Sequence, residues 1–185
     1  MPITRPAIFF DRDGVLNECR VVNGKPYPPV DVASLVIAPD AAVILARLRK
    51  LGFSLVCVTN QPDVARGTST LESVLAINEK VKASLGLDAL YVCLHDNHHA
   101  CSCRKPAPGM LLQAARDLAL DMGQSFMIGD RAGDIAAGRS AGCGTIHLFR
   151  GYSEAKPDPP ADYTCTTLRE AAAWIENAVS ASHGE

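Results

Sequence analysis

Two carboxylates, Asp11 and Asp13, follow a short apolar run (Ala7 to Phe10) in the segment Asp11-Arg12-Asp13-Gly14. In an extended segment, residues two apart point the same way, so both carboxylates can face one site. Two such charges repel, and their closeness requires a cation or a shared proton. A third carboxylate, Asp130, ends another apolar run in Gly129-Asp130-Arg131, with Asp134 beyond it. Asp11, Asp13 and Asp130 together make a hard, oxygen-rich set suited to Mg²⁺, an ion that keeps several waters and accepts phosphate oxygens. Lys105 stands before a proline, where helix is disfavoured. Near the carboxylates its ammonium offsets their charge and binds a phosphate oxygen. Arg104 beside it offers a planar fork for phosphate or a sugar hydroxyl. Thr59 and Asn60 end a third apolar run, where a hydroxyl and the following backbone N–H groups can hold phosphate oxygens. Taken singly, Asp-Arg-Asp-Gly reads equally as a solvated turn and Thr59-Asn60 as an ordinary strand terminus. Their recurrence at matching places is what points to phosphate chemistry.

A second cluster has different chemistry. Cys93, His95, Cys101 and Cys103 form Cys-x-His-x5-Cys-x-Cys. Three thiolates and an imidazole are a four-ligand set for structural Zn²⁺, though the one-residue gaps are tighter than common zinc-finger spacing. A metal knot here would stiffen a long loop and aim the adjacent Arg104 and Lys105. His98 and His99 are expected to be exposed, because the tetrahedron is already filled. The scattered Cys19, Cys57, Cys143 and Cys165 read as small core or surface residues.

The elements that must position these groups alternate. Strands are expected at Ala7–Phe10, Ser54–Val58, Ala89–Leu94, Ser125–Ile128 and Gly144–Phe149. Helices are expected over Asp40–Leu51, closed by Gly52, and over Ser69–Leu85, with Ser69 as N-cap and Glu72 completing a capping box. Further helices are expected over Pro108–Leu120, Ala132–Ala141 and Leu168–Ala181. Residues 15–37 and 150–161 read as loops. Strand and helix in alternation imply an α/β fold, a parallel sheet with helices on both faces. Ligands then bind beyond the carboxyl ends of the strands, where the candidate residues stand.

Asp11-Arg12-Asp13-Gly14, Thr59-Asn60-Gln61, Arg104-Lys105-Pro106 and Gly129-Asp130-Arg131-x-x-Asp134 resemble, in order, the four motifs of the haloacid dehalogenase superfamily of phosphatases. The resemblance covers about residues 5–150 and implies a Rossmann-like sheet with essentially no cap domain. It implies that Asp11 is the nucleophile, forming an aspartyl-phosphate, and that Asp13 is the general acid and then base. It further implies that Thr59 and Lys105 stabilise the transferring phosphoryl group. Mg²⁺ would lie between Asp11, the backbone carbonyl of Asp13 and Asp130, with Asp134 supporting the metal or Lys105. The zinc loop is similar to that of the branch containing the heptose 1,7-bisphosphate 7-phosphatases and the histidinol-phosphate phosphatases. Asn60-Gln61-x-x-x-Ala65-Arg66-Gly67 and Lys105-Pro106-x-Pro108-Gly109-Met110 resemble the heptose enzymes more closely. Asn60, Gln61, Arg66, Arg104 and Arg131 are then the substrate-binding candidates, with Arg66 for a second phosphate. Pro62-Asp63 replaces the Ser-Gly usual in that family, and residues 18–30 depart from its pattern.

The remaining properties narrow the class. The 185 residues suit one domain, 48% apolar and 21% charged. A net charge of −2 points neither to nucleic acid nor to an acidic membrane. No signal-peptide pattern or membrane-length apolar run is evident, so a cytoplasmic monomer acting on a small phosphorylated sugar is expected. Seven cysteines in that setting favour a metal over disulfides. The alternatives are histidinol phosphate or another small monoester as substrate, a phosphotransferase or mutase, and a catalytically inactive zinc-binding scaffold.

Overall fold

The structure, a computed structural model, describes residues 4–182. Its elements run β1 (Arg5–Phe10), β2 (Arg20–Val22), β3 (Lys25–Tyr27), α1 (Ala41–Lys50), β4 (Ser54–Asn60), α2 (Leu71–Leu85), β5 (Ala89–Cys93), α3 (Gly109–Leu118), β6 (Leu120–Gly129), α4 (Ala132–Ser140), β7 (Gly144–Leu148), β8 (Tyr163–Cys165) and α5 (Leu168–Ser182). Six of the strands form one sheet in the order β5-β4-β1-β6-β7-β8, parallel throughout. From β1 the chain first builds outward through β4 to β5. It then returns to the other side of β1 and builds through β6 and β7 to β8. The reversal opens a crevice at the carboxyl ends of β1 and β6. Asp11 follows β1 and Asp130 follows β6, so the topology alone brings residues far apart in sequence to one place.

The central strands β1 and β4 are buried on both faces, which is why they read as continuous apolar runs. Along β1, Ile8 and Phe10 face one layer, with Leu45 and Leu48 of α1, Ile77 and Val81 of α2, and Ile175 of α5. Ala7 and Phe9 face the other, with Met110 and Leu111 of α3 and Ala137 of α4. Truncating Leu45 or Leu48 to alanine is expected to cost about 2–5 kcal/mol.

Several local expectations are corrected. The N-cap of α2 is Thr70, not Ser69: Thr70 Oγ1 accepts from Ser73 N at 3.1 Å. Ser69 is engaged in the preceding turn, its N–H donating to Asp63 O at 3.0 Å. The helix does end at Gly86, with φ 62°. β6 begins at Leu120, not Ser125, because Arg5 and Pro6 pair with Leu120 and Asp121 before the register shifts. This stops α3 at Leu118. β8 is three residues long and carries too little pattern to be seen in sequence. The expected loop 15–37 contains the antiparallel hairpin β2–β3, turned by Asn23-Gly24 at φ 51° and 74°. Asn-Gly is a strong signal for that turn, and the surrounding prolines masked it. Among the described residues, no helix is long and apolar enough to cross a membrane.

Candidate active site

Beyond β1 and β6, carboxylate oxygens of Asp11, Asp130 and Asp134 lie within 4.8 Å of one another, and all three residues are buried. Lys105 enters this cluster and spends its donors fully. Nζ lies 2.7 Å from Asp11 Oδ1, 2.6 Å from Asp134 Oδ1 and 2.7 Å from Val58 O. Asp134 also accepts from Arg131 N at 3.0 Å, which caps α4. Both oxygens of Asp130 are buried with no hydrogen-bond partner. One ammonium does not neutralise three carboxylates. Burial pushes the Asp11 carboxyl up to about 6, against the pull of Lys105 and with the repulsion of Asp134 and Asp13. Burial, then repulsion by Asp11 and Asp134, raises Asp130 well above the usual carboxylate range. Burial alone would lower Lys105, but Asp11 and Asp134 hold it above its ordinary value. An excess of buried negative charge with two orphaned oxygens is the donor set of a hard divalent cation.

Two glycines permit the close approach. Gly14 has φ 85°, and a Cβ there would sit 2.0 Å from Asp130 Oδ2. A Cβ on Gly129 would sit 2.1 Å from that of Asp134.

Asp13 lines the same cavity as Asp11, but its carboxylate is outside the Asp11–Asp130–Asp134 cluster. Donors hold it from several sides. Arg12 reaches both oxygens, Asn17 Nδ2 donates to Oδ1 at 3.0 Å, and Gln61 Nε2 donates to Oδ2 at 2.7 Å. Thr59 is buried and its hydroxyl accepts from Gln61 Nε2 at 2.9 Å. Asn60 clamps the backbone of Lys105 in both directions, accepting from its N–H at 3.1 Å and donating to its carbonyl at 3.0 Å.

The cavity rim carries Arg66 and Arg131 together with Asp63, Tyr27 and Pro28. Arg66 donates from Nε and Nη2 to the two oxygens of Asp96, at 3.0 and 2.6 Å, and lies 3.4 Å from Asp63. Arg131 lies 3.5 Å from Glu154. Arg104 turns toward the loop before it, donating to Asn97 Oδ1 at 2.9 Å and His95 O at 3.1 Å.

That loop brings the ligand atoms of Cys93, His95, Cys101 and Cys103 within 4.8 Å of one another. Cys93 Sγ is 3.8 Å from Cys101 Sγ, 3.2 Å from Cys103 Sγ and 3.6 Å from His95 Nδ1. A tetrahedral zinc with bonds of ~2.3 Å to sulfur sets its ligands roughly 3.5–3.8 Å apart; Cys101 and His95 stand at such distances from Cys93, and Cys103 slightly closer. His98 and His99 are exposed, as expected. Cys57, Cys143 and Cys165 are buried, whereas Cys19 lines the catalytic cavity.

Sequence reasoning missed Arg12, Asn17 and Asn78. The signal for Arg12 was its place between two acids; Asn78, on α2, gave none.

A family model described as "HAD-hyrolase-like" matches residues 102–171. The chain is 38% identical over 189 residues to the D-glycero-beta-D-manno-heptose-1,7-bisphosphate 7-phosphatase of Yersinia pestis, a match covering 95% of this chain and 92% of that protein. It is 35% identical over 187 residues to the protein of the same name from Escherichia coli K12, covering 95% and 90%. The solved D,D-heptose 1.7-bisphosphate phosphatase of B. bronchiseptica, complexed with magnesium and phosphate, is similar with a TM-score of 0.77 at 26% identity, covering 94% of this chain and 99% of that one. With four motifs converging on one crevice and relatives matched over nearly their whole length, the chain belongs to the haloacid dehalogenase-like hydrolases, in the family of the heptose-1,7-bisphosphate 7-phosphatases.

Proposed function

We propose that this chain hydrolyses the 7-phosphate of a D-glycero-D-manno-heptose 1,7-bisphosphate through a phosphorylated Asp11. The observation that carries the reading is the pairing of Asp11 with Lys105 at 2.7 Å beside a buried Asp130 whose oxygens have no partner. The names of the relatives support the sugar.

Asp11, Asp130 and the Asp13 carbonyl would hold Mg²⁺, which when bound offsets the carboxylate charge and polarises the phosphoryl oxygens. Lys105 takes Oδ1 of Asp11, so Oδ2 attacks phosphorus. The bond from phosphorus to the sugar oxygen breaks, and that oxygen takes a proton from Asp13. Asp13 then removes a proton from the water that attacks the aspartyl-phosphate, releasing phosphate and restoring Asp11. The positive charge of Lys105, whose N–H groups are already taken, and the Thr59 hydroxyl stabilise the charge on the transferring group. Asn60 keeps the Lys105 backbone in register, and Arg131 and Arg66 offer cations at the rim. Cys93, His95, Cys101 and Cys103 would hold a structural Zn²⁺, and Arg104, bonded to Asn97 and His95, ties that loop to the turn that carries Lys105. The same reading takes the protein as a cytoplasmic, single-domain monomer.

A second reading has a specific observation in its favour. Arg66 is paired with Asp96 and Asp63, and Asp63 stands on the cavity rim, which suits a cationic leaving group such as histidinol. Phosphate release with Mg²⁺ from both anomers of the heptose bisphosphate and from histidinol phosphate, side by side, decides between them. Preference for a heptose anomer supports the first reading, and preference for histidinol phosphate overturns it. Failure on every monoester would leave the inactive scaffold.

A further inference from the structure

Arg12 is the largest side chain with no solvent exposure. A guanidinium does not shed its charge, so its burial needs compensating partners. Asp13 supplies them: Arg12 Nε and Nη2 lie 3.2 and 3.1 Å from Oδ1, and Nη2 lies 3.0 Å from Oδ2. On the opposite side, Nη1 donates to Asn78 Oδ1 at 2.6 Å. Asn78 sits on α2, 4% exposed, and its Nδ2 has no partner. A buried amide with an unpaired donor destabilises a fold. Its helix neighbours Val74, Ile77 and Val81 show that this face otherwise packs as apolar core. Asn78 is therefore poorly explained by packing alone, and among the described residues its side chain's one hydrogen bond leads to Arg12 and on to Asp13.

We infer that Asn78 and Arg12 are a positioning pair for the proton-transferring carboxyl of Asp13, an inference that rests on the role proposed for Asp13. The amide fixes the guanidinium, and the guanidinium fixes the carboxyl plane. Gln61 and Asn17 hold the same carboxyl from other sides, at 2.7 and 3.0 Å. The Asp13 side chain is 14% exposed and lines the cavity. Both of its proposed tasks, giving a proton to the departing sugar oxygen and taking one from water, require a carboxyl oxygen at hydrogen-bond distance from the reacting atom. A carboxyl free to rotate would spend much of its time misplaced, and misplacement by about an ångström can cost on the order of a hundredfold in rate.

Leaving-group dependence separates positioning from mere structure. An alkyl oxygen needs the proton from Asp13 to depart, whereas the nitrophenolate of para-nitrophenyl phosphate leaves without one. Asn78→Leu removes the acceptor for Arg12 at similar volume, and Asn78→Asp keeps it. The first turnover of the Mg²⁺-loaded protein is followed by rapid mixing with the heptose bisphosphate and with para-nitrophenyl phosphate. Asn78→Leu is expected to slow leaving-group release from the sugar phosphate by about ten- to a hundredfold. Release of nitrophenolate is expected within about twofold of the parent, with KM unchanged for both. Asn78→Asp is expected to restore the sugar-phosphate rate to within about threefold. Equal losses on the two substrates, a change confined to KM, or an Asn78→Asp variant as slow as Asn78→Leu would each overturn the inference. Asp13→Asn is the control on the underlying reading. If it shows no difference between the two substrates, Asp13 is not the acid and the positioning claim falls with it. If Asp13→Asn discriminates and Asn78→Leu does not, the positioning claim alone is wrong.

Discussion

The two candidate metal clusters are built in opposite ways. The four ligands of the thiolate cluster come from residues 93–103, one loop and the strand end before it. The carboxylate cluster gathers Asp11 from the end of β1 and Asp130 and Asp134 from beyond β6, with Lys105 from a third place. Apart from Cys93 at the end of β5, the ligands of the local cluster lie outside the sheet, so its metal must organise the loop. A cluster assembled by the whole fold is already in place, and its metal has only to relieve charge. Loss of the ion should therefore unravel the first and merely disarm the second.

Five outcomes test this contrast, from the largest effect to the smallest. Asp11→Asn should remove turnover by a factor on the order of a thousand or more while the fold is kept, since the nucleophile is lost and its shape is not. Near-parent rates in that variant, at unchanged circular dichroism, would refute the mechanism. Cys101→Ser should lower zinc content and reduce Tm by on the order of 10 °C, with activity falling as Lys105 loses its support. One tightly bound zinc per chain in that variant would refute the ligand assignment.

The carboxylate cluster should respond in the reverse sense. Asp130→Asn should stabilise the Mg²⁺-free protein by about 1–3 kcal/mol, by removing a buried, unpaired charge, while abolishing stabilisation by Mg²⁺. The parent shows the same charge strain through pH. Asp11 titrates near 6 in the folded state and Asp130 well above its ordinary value, whereas unfolded carboxyls titrate near 4. Between those values the folded chain binds more protons than the unfolded one. Stability of the Mg²⁺-free protein should therefore fall as pH rises from about 4 through 6, and Mg²⁺ should flatten that slope. A Tm that rises over this window without Mg²⁺ would contradict the charge balance. The smallest effect is expected at the rim. Arg66→Ala should raise KM for a bisphosphate about threefold to tenfold more than for a monophosphate, and equal changes would mean that Arg66 does not read the second phosphate.

The contrast also explains what was legible in the sequence. Strand-end motifs announce themselves because each is a polar residue breaking an apolar run, and the parallel fold converts that pattern into one crevice. Asp11 and Asp130 were legible for this reason, Lys105 through its place before a proline, and the thiolates through their local spacing. Side-chain direction was not. Asn60 turns to the backbone of Lys105 and Arg104 to the preceding loop, and no spacing rule separates those orientations from a substrate contact. Asn78 could not be found at all, since an asparagine on an amphipathic helix reads as surface until the buried partner opposite is known. The β2–β3 hairpin was hidden by prolines that read as loop, although Asn23-Gly24 marked its turn.

The central claim is that Asp11 becomes phosphorylated. Its most direct test is rapid acid quenching of the Mg²⁺-loaded protein with substrate carrying labelled phosphate, followed by peptide mass analysis. The expected result is a transient label on Asp11 that hydroxylamine removes and that Asp11→Asn lacks. Full turnover with no label on Asp11 at any quench time, or a label on another residue, would contradict the account.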